Sequence, residues 1–186
     1  MHLACLLSPT GYNHDAKSSK PLPTPTTPAV MLRIRDLSKS RLHGEALAAA
    51  EALAVAVPGN RDALYLIAAN QRCLNRIPDA LATLERLEGQ HPQFSLLYQE
   101  RGHCYVSLRD ARNAIDAFLR GVNLNPALLT SWSMLEHLYR MSGEEKNAAA
   151  AAERVSALKH LPPEVVQAGS LFSDGELSAA AIAVTR

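Results

Sequence analysis

From Val30 onward apolar residues recur at three- and four-residue spacing, as in Leu81, Leu84 and Leu87. That is the period of an amphipathic helix. Breakers cut the pattern at short intervals: Pro58-Gly59-Asn60, Gly89 to Pro92, Asn125-Pro126, Gly143 and Pro162-Pro163. The spacing predicts helices of about a dozen residues joined by short turns. The text before Val30 is different. Five of the 11 prolines (Pro9, Pro21, Pro23, Pro25, Pro28) fall between Ser8 and Pro28. Proline lacks an N–H and fixes φ, so such a tract builds neither helix nor sheet. Residues 1–28 are expected to be a disordered, partly polyproline-II tail. Pro25-Thr26-Thr27-Pro28 has the form of a P-x-x-P ligand, but a solvated leader is the plainer reading of this composition.

The breakers are periodic. Pro58, Pro92 and Pro126 are each 34 residues apart (92−58, 126−92). The columns Ala46, Ala80, Ala114, Ala148 and Val30, Leu64, Tyr98, Trp132 step by the same amount, as does Leu37, Gln71, Tyr105, Tyr139. Several columns in one register mark a repeat architecture rather than a single globular core. The repeats run approximately 29–60, 61–94, 95–128 and 129–162. A partial fifth follows over 163–186, slipped by two residues.

The columns resemble the tetratricopeptide repeat, W-x-x-L-G-x-x-Y, then A-x-x-x-F, then P. The best copy reads Tyr98, Arg101, Gly102, Tyr105, Ala114, Phe118, Pro126. The resemblance implies an all-α, right-handed solenoid of about four and a half helical hairpins, each burying its apolar face against the next. Ala68 and Gly102 would let the first helix approach its partner, and Glu136 departs from that small-residue column. Family members bind peptides or proteins in the concave groove, so the implied function is a non-catalytic interaction module.

A narrower resemblance carries the second reading. "ERGHCYVSLRDARNAIDAFLRGVNLNPAL" and "LPPEVVQAGSLFSDGEL" are similar to the repeat region ahead of the sulfotransferase domain in some bacterial proteins. There a separate α/β domain binds phosphoadenosine phosphosulfate through a phosphate loop. No G-x-x-x-x-G-K-[ST] loop follows a strand in this sequence, so no sulfotransferase residue carries over. The chain itself is read as non-enzymatic and without a cofactor.

Composition adds exclusions. Lys+Arg is 19 against Asp+Glu 18, which gives no nucleic-acid footprint. No apolar run approaches the roughly 20 residues of a membrane span. Cys5, Cys73 and Cys104 are odd in number and make no C-x-x-C, so a reducing, cytoplasmic setting fits. The last ten residues, "LSAAAIAVTR", form an apolar helix with no polar cap after it. Fraying, or self-association through these C-terminal helices, is therefore expected.

Candidate chemistry concentrates in "YQERGHCYVSL", Tyr98 to Leu108. Cys104 is expected to be a buried, inert small hydrophobe. His103 and His137 occupy equivalent positions 34 apart (137−103). Two histidines do not make the four ligands of a zinc site, so no metal is expected. The first helices of such a solenoid line its groove. The resemblance therefore places Arg72, Gln99, Glu100, His103, Ser133, His137 and Arg140 on one concave surface, with Asp116 and Arg120 on another. Paired histidines would strengthen binding of an acidic ligand as pH falls through roughly 6.5.

Overall fold

The computed structural model describes residues 26–184 of the chain. These form helices and turns, with no strand among the described residues. The first helices of successive pairs are α1 (Thr27–Lys39), α3 (Arg61–Cys73), α5 (Ser95–Ser107), α7 (Leu129–Met141) and α9 (Pro163–Ser173). The second helices are α2 (His43–Ala56), α4 (Ile77–Gln90), α6 (Ala111–Leu124), α8 (Glu145–His160) and α10 (Leu177–Val184). First helices start every 34 residues (61−27, 95−61, 129−95, 163−129). Second helices keep that step until the last, which starts 32 after Glu145 (177−145) because α9 has 11 residues where α7 has 13. The tail of the sequence up to residue 25 lies outside the described residues. Pro28 stands in the first turn of α1, where its missing N–H costs no helical bond.

Each turn within a pair has one solution. Leu42 N–H donates to Leu37 O, Arg76 to Gln71 O, Asp110 to Tyr105 O, Glu144 to Tyr139 O and Glu176 to Leu171 O, each at 2.8 to 3.0 Å. These are Schellman closures, in which an N–H beyond the helix end satisfies an orphan carbonyl. The residue before each donor is left-handed: Arg41, Asn75, Arg109, Gly143 and Gly175, with φ between 59° and 80°.

The best-patterned helix is α6. Ala114, Ala117, Phe118, Gly121 and Val122 form its buried stripe at helical spacing, and Asp110 Oδ1 caps it by accepting from Asn113 N–H at 3.1 Å. Burying Phe118 contributes roughly 2–3 kcal/mol. The alanine column, Ala46, Ala80, Ala114 and Ala148, is almost wholly buried. It is where the second helix of each pair closes on its neighbours.

The pairs bury their apolar faces in three successive clusters rather than in one central core. The small-residue column is matched by size across the pair. Ile34 shares a cluster with Ala50, Ala68 with Leu84, and Gly102 packs directly on Phe118. At Glu136 the partner column holds Ala152, and the carboxylate turns to Arg140 Nη2 at 2.7 Å.

The fifth pair leaves the stack. Instead of continuing from α8 as a terminal layer, its turn crosses to the start of α3, the start of α5 and the end of α6. The sequence period places α9 in register but carries no sign of this return.

Candidate functional site

The first helices touch one another along one face. Arg35 Nη2 lies 3.4 Å from Asp62 Oδ2, joining α1 to α3. Ser38 Oγ lies 3.0 Å from Asn70 Oδ1 on the same pair of helices. Arg72 Nε donates to Glu100 Oε1, joining α3 to α5. Ser131 Oγ donates to Gln99 Oε1 at 3.1 Å, joining α5 to α7. A polar ladder thus runs up this face over the apolar clusters.

The seven groove candidates divide into two kinds. Arg72 and Glu100 form a tie rather than a free pair of charges, with Glu100 only 3% exposed. Gln99 is half-buried and holds Ser131. His103 is also half-buried. Its ring stands edge-on to Phe118, with centroids 5.2 Å apart and planes at 79°. Burial holds its imidazole below the ordinary range; Arg72 adds to this and Glu100 opposes it. Ser133 is half-buried, and His137 and Arg140 are exposed. Arg140 makes the one-turn pair with Glu136. Asp116 and Arg120 stand exposed on α6, where Arg120 Nη1 reaches Glu88 Oε1 at 3.0 Å and lies over the Tyr98 ring at 4.4 Å.

The lower end of this face holds residues that no sequence column singled out. Arg61 opens α3, and its guanidinium lies 4.4 Å over the ring of Phe94. Its Nε reaches Asp62 Oδ1 at 3.1 Å, its Nη1 donates to the carbonyl of Asp174 at 3.1 Å, and its Nη2 pairs with Glu176. The N–H of Ser95, in the first turn of α5, donates to Asp174 Oδ1 at 2.8 Å. Asn125 is fully buried. Its Nδ2 lies 2.9 Å from Ser170 Oγ and 3.4 Å from Asp174 Oδ2, while its Oδ1 accepts from Ala127 N–H at 3.0 Å. Tyr65 sits beside this cluster, edge-on to Phe94 at 5.8 Å. Burial, with Glu100 nearby, pushes its phenol well above the usual range. Above the turn, an open cleft of about 570 Å³ lies between Leu96, Gln99 and Leu128 on one side and Leu158, Val166 and Leu171 on the other.

No known family profile matches the chain, and no curated protein does. Solved structures do match it. TTC0263, a thermophilic TPR protein from Thermus thermophilus, superposes with a TM-score of 0.64 at 20% identity, covering 83% of this chain and 80% of that one. MamA from Desulfovibrio magneticus RS-1 gives 0.56 at 16%, covering 84% and 92%. A putative kinesin light chain from Podospora anserina with nearly identical TPR-like repeats gives 0.57 at 16%, covering 85% and 91%. The fold is the tetratricopeptide-repeat solenoid.

The ladder and the cluster around Arg61 both stand on the row of first helices. Cys104 lies wholly buried on α5, and burial, then Glu100, pushes its thiol up to about 12. It is a neutral packing group at physiological pH. Cys73 is exposed at the end of α3, and neither thiol is in a disulfide. Among the described residues, no group of three or more His, Cys, Asp or Glu side chains is placed to hold a metal ion. No described helix is long and apolar enough to cross a membrane.

Proposed function

We propose that this chain is a non-catalytic interaction module that binds a peptide or protein segment along its concave face, with Arg140, His137, Ser133 and Gln99 as contact residues. One observation carries the reading: along the polar ladder Arg72 and Glu100 are used up in holding helices together, whereas His137 and Arg140 stand exposed on the same row of first helices. Polar side chains carried on rigid, mutually braced helices suit recognition, because little side-chain and loop ordering is left for the moment of binding. Free thiols at Cys73 and Cys104 support a reducing, cytoplasmic setting. The test is capture of a partner on the immobilised full chain, followed by Arg140→Ala and His137→Ala. Both should weaken the captured partner at least fivefold with an unmoved urea midpoint. Loss of affinity on changing Asp116 or Arg120 instead would move the function to the α6 face.

The similarity of residues 100–128 and 161–177 to the repeat region of bacterial sulfotransferases supports a second reading: the helical part of a longer enzyme. Sequence beyond Arg186 tests it. A following α/β segment with a phosphate loop is the outcome it requires.

A further inference from the structure

Three donors converge where the turn of the fifth pair meets the groove. Arg61 presents a guanidinium, Ser95 a first-turn N–H that has no partner within its helix, and Asn125 a side-chain amide. Asp62 already holds Arg61 Nε, which aims the two terminal nitrogens of the guanidinium outward over Phe94. These donors hold two carboxylates, and besides them Asn125 Nδ2 lies 2.9 Å from Ser170 Oγ and Arg61 Nη1 donates to the Asp174 carbonyl. Asp174 places one carboxylate oxygen on the Ser95 N–H and the other toward Asn125, and Glu176 pairs with Arg61. Gly175 between them, at φ 80°, bends the chain so that both carboxylates reach inward.

Phe172 is 66% exposed, and the apolar cleft beside Leu171 is left open. The pair hangs from the stack by the short Leu161-Pro162 link. A stacked terminal layer would bury an apolar face. This one instead commits its acidic turn to a donor-lined socket in the groove.

We infer that the α9–α10 hairpin is an internal occupant of the groove, and that the socket of Arg61, Ser95 N–H and Asn125 is a docking site for an acidic Asp-x-Glu segment of a partner, which takes the place of the Asp174–Glu176 turn. The inference rests on the concave face being the binding surface. It adds the class of ligand, a peptide bearing two carboxylates two residues apart, and a control: partners without such a segment meet a groove that is already filled at this end.

The probe is a fluorescent peptide with the sequence of Ser170–Leu177, SLFSDGEL, added to the full chain. With the internal turn weakened by D174N together with E176Q, the peptide should bind at least tenfold more tightly than to the unaltered chain. Adding R61A to that background should cost at least tenfold. The neutral peptide SLFSNGQL should bind at least tenfold more weakly than the acidic one. The single change E176Q, at a partly exposed side chain, guards against misfolding of the double variant and should give at least a threefold gain. Far-UV circular dichroism checks that each variant is folded. Equal affinity of altered and unaltered chains, or of acidic and neutral peptides, would overturn the inference. So would a chain that dimerises through the turn and takes up no peptide, because a second copy would then be the occupant. A partner that loses affinity for H137A and R140A chains, while the peptide ignores D174N/E176Q, would keep the broader reading and remove this one. A partner indifferent to H137A and R140A would remove the broader reading by a separate measurement.

Discussion

A Cβ atom placed on Gly102 would lie 2.6 Å from the ring of Phe118. Real side chains do not approach so closely, so α5 and α6 meet here only because one residue has no side chain and the other has a large one. Gly102→Ala should therefore destabilise the chain, although alanine is the better helix former by about 1 kcal/mol. The overpacking cost, typically 1–3 kcal/mol, should exceed that gain. Phe118→Leu in the same chain should recover most of the loss. A double-mutant cycle read from urea midpoints checks this, and additive losses would mean that the two residues do not compete for space.

Ala114 has no exposed surface and faces the contact between helices. Ala114→Arg buries an unpaired charge in a packed seam, at a cost of roughly 3 kcal/mol or more. Solenoid stability is close to a sum over neighbours. Hydrogen exchange should therefore rise most in α5 to α7 and least in α1 and α2.

Arg109 holds φ 59° in an exposed turn, where Gly143 serves the equivalent place one repeat on. A left-handed backbone costs a residue with a Cβ about 1–2 kcal/mol, and glycine gives back part of that as unfolded-state entropy. Arg109→Gly should raise stability by up to about 1 kcal/mol, and Gly143→Ala should lower it by a similar amount. Thermal midpoints moving in opposite directions for the two variants are the expected result.

Burial lowers the pKa of His103, which stands edge-on to Phe118; Glu100 opposes the shift and Arg72 adds to it. Its folded pKa lies below its unfolded one, so the unfolded chain takes up the proton first. The contribution of His103 to stability is complete above about 6.5, the unfolded value, and is lost as pH falls from there toward the lowered folded value. Urea midpoints should therefore drop across that window, and less so in His103→Gln. His103 and His137 are equivalent in sequence, but the structure tucks His103 against the Phe118 ring and leaves His137 exposed.

The fold was legible because its information is local and repeated. Helix starts at Thr27, Arg61, Ser95, Leu129 and Pro163 follow from a period that the alanine and proline columns already display. The row of first-helix positions was legible, but the pairing of its side chains was not. Glu100 stands in that row, yet its carboxylate is buried on Arg72, and only coordinates show which of two charged neighbours is exposed and which is paired. The socket was not legible at all. Arg61 and Ser95 stand at equivalent positions one period apart, but the residues that they and Asn125 hold lie 113, 79 and 49 positions further along the chain. Neither helical period nor capping rule carries a contact at that separation.

That separation sets how the molecule comes together. In a plain array each layer meets only the next, so folding can begin anywhere and spread through short loops. The bond from Arg61 to Asp174 closes a loop of 113 residues. Its entropic cost grows only slowly with length, but it falls in a single late step, after the intervening layers exist. The chain should therefore fold in two kinetic phases, an early one that builds the stack and a slower one that seats the hairpin. In Arg61→Ala the slower phase should vanish from tyrosine and tryptophan fluorescence while the early one keeps its rate.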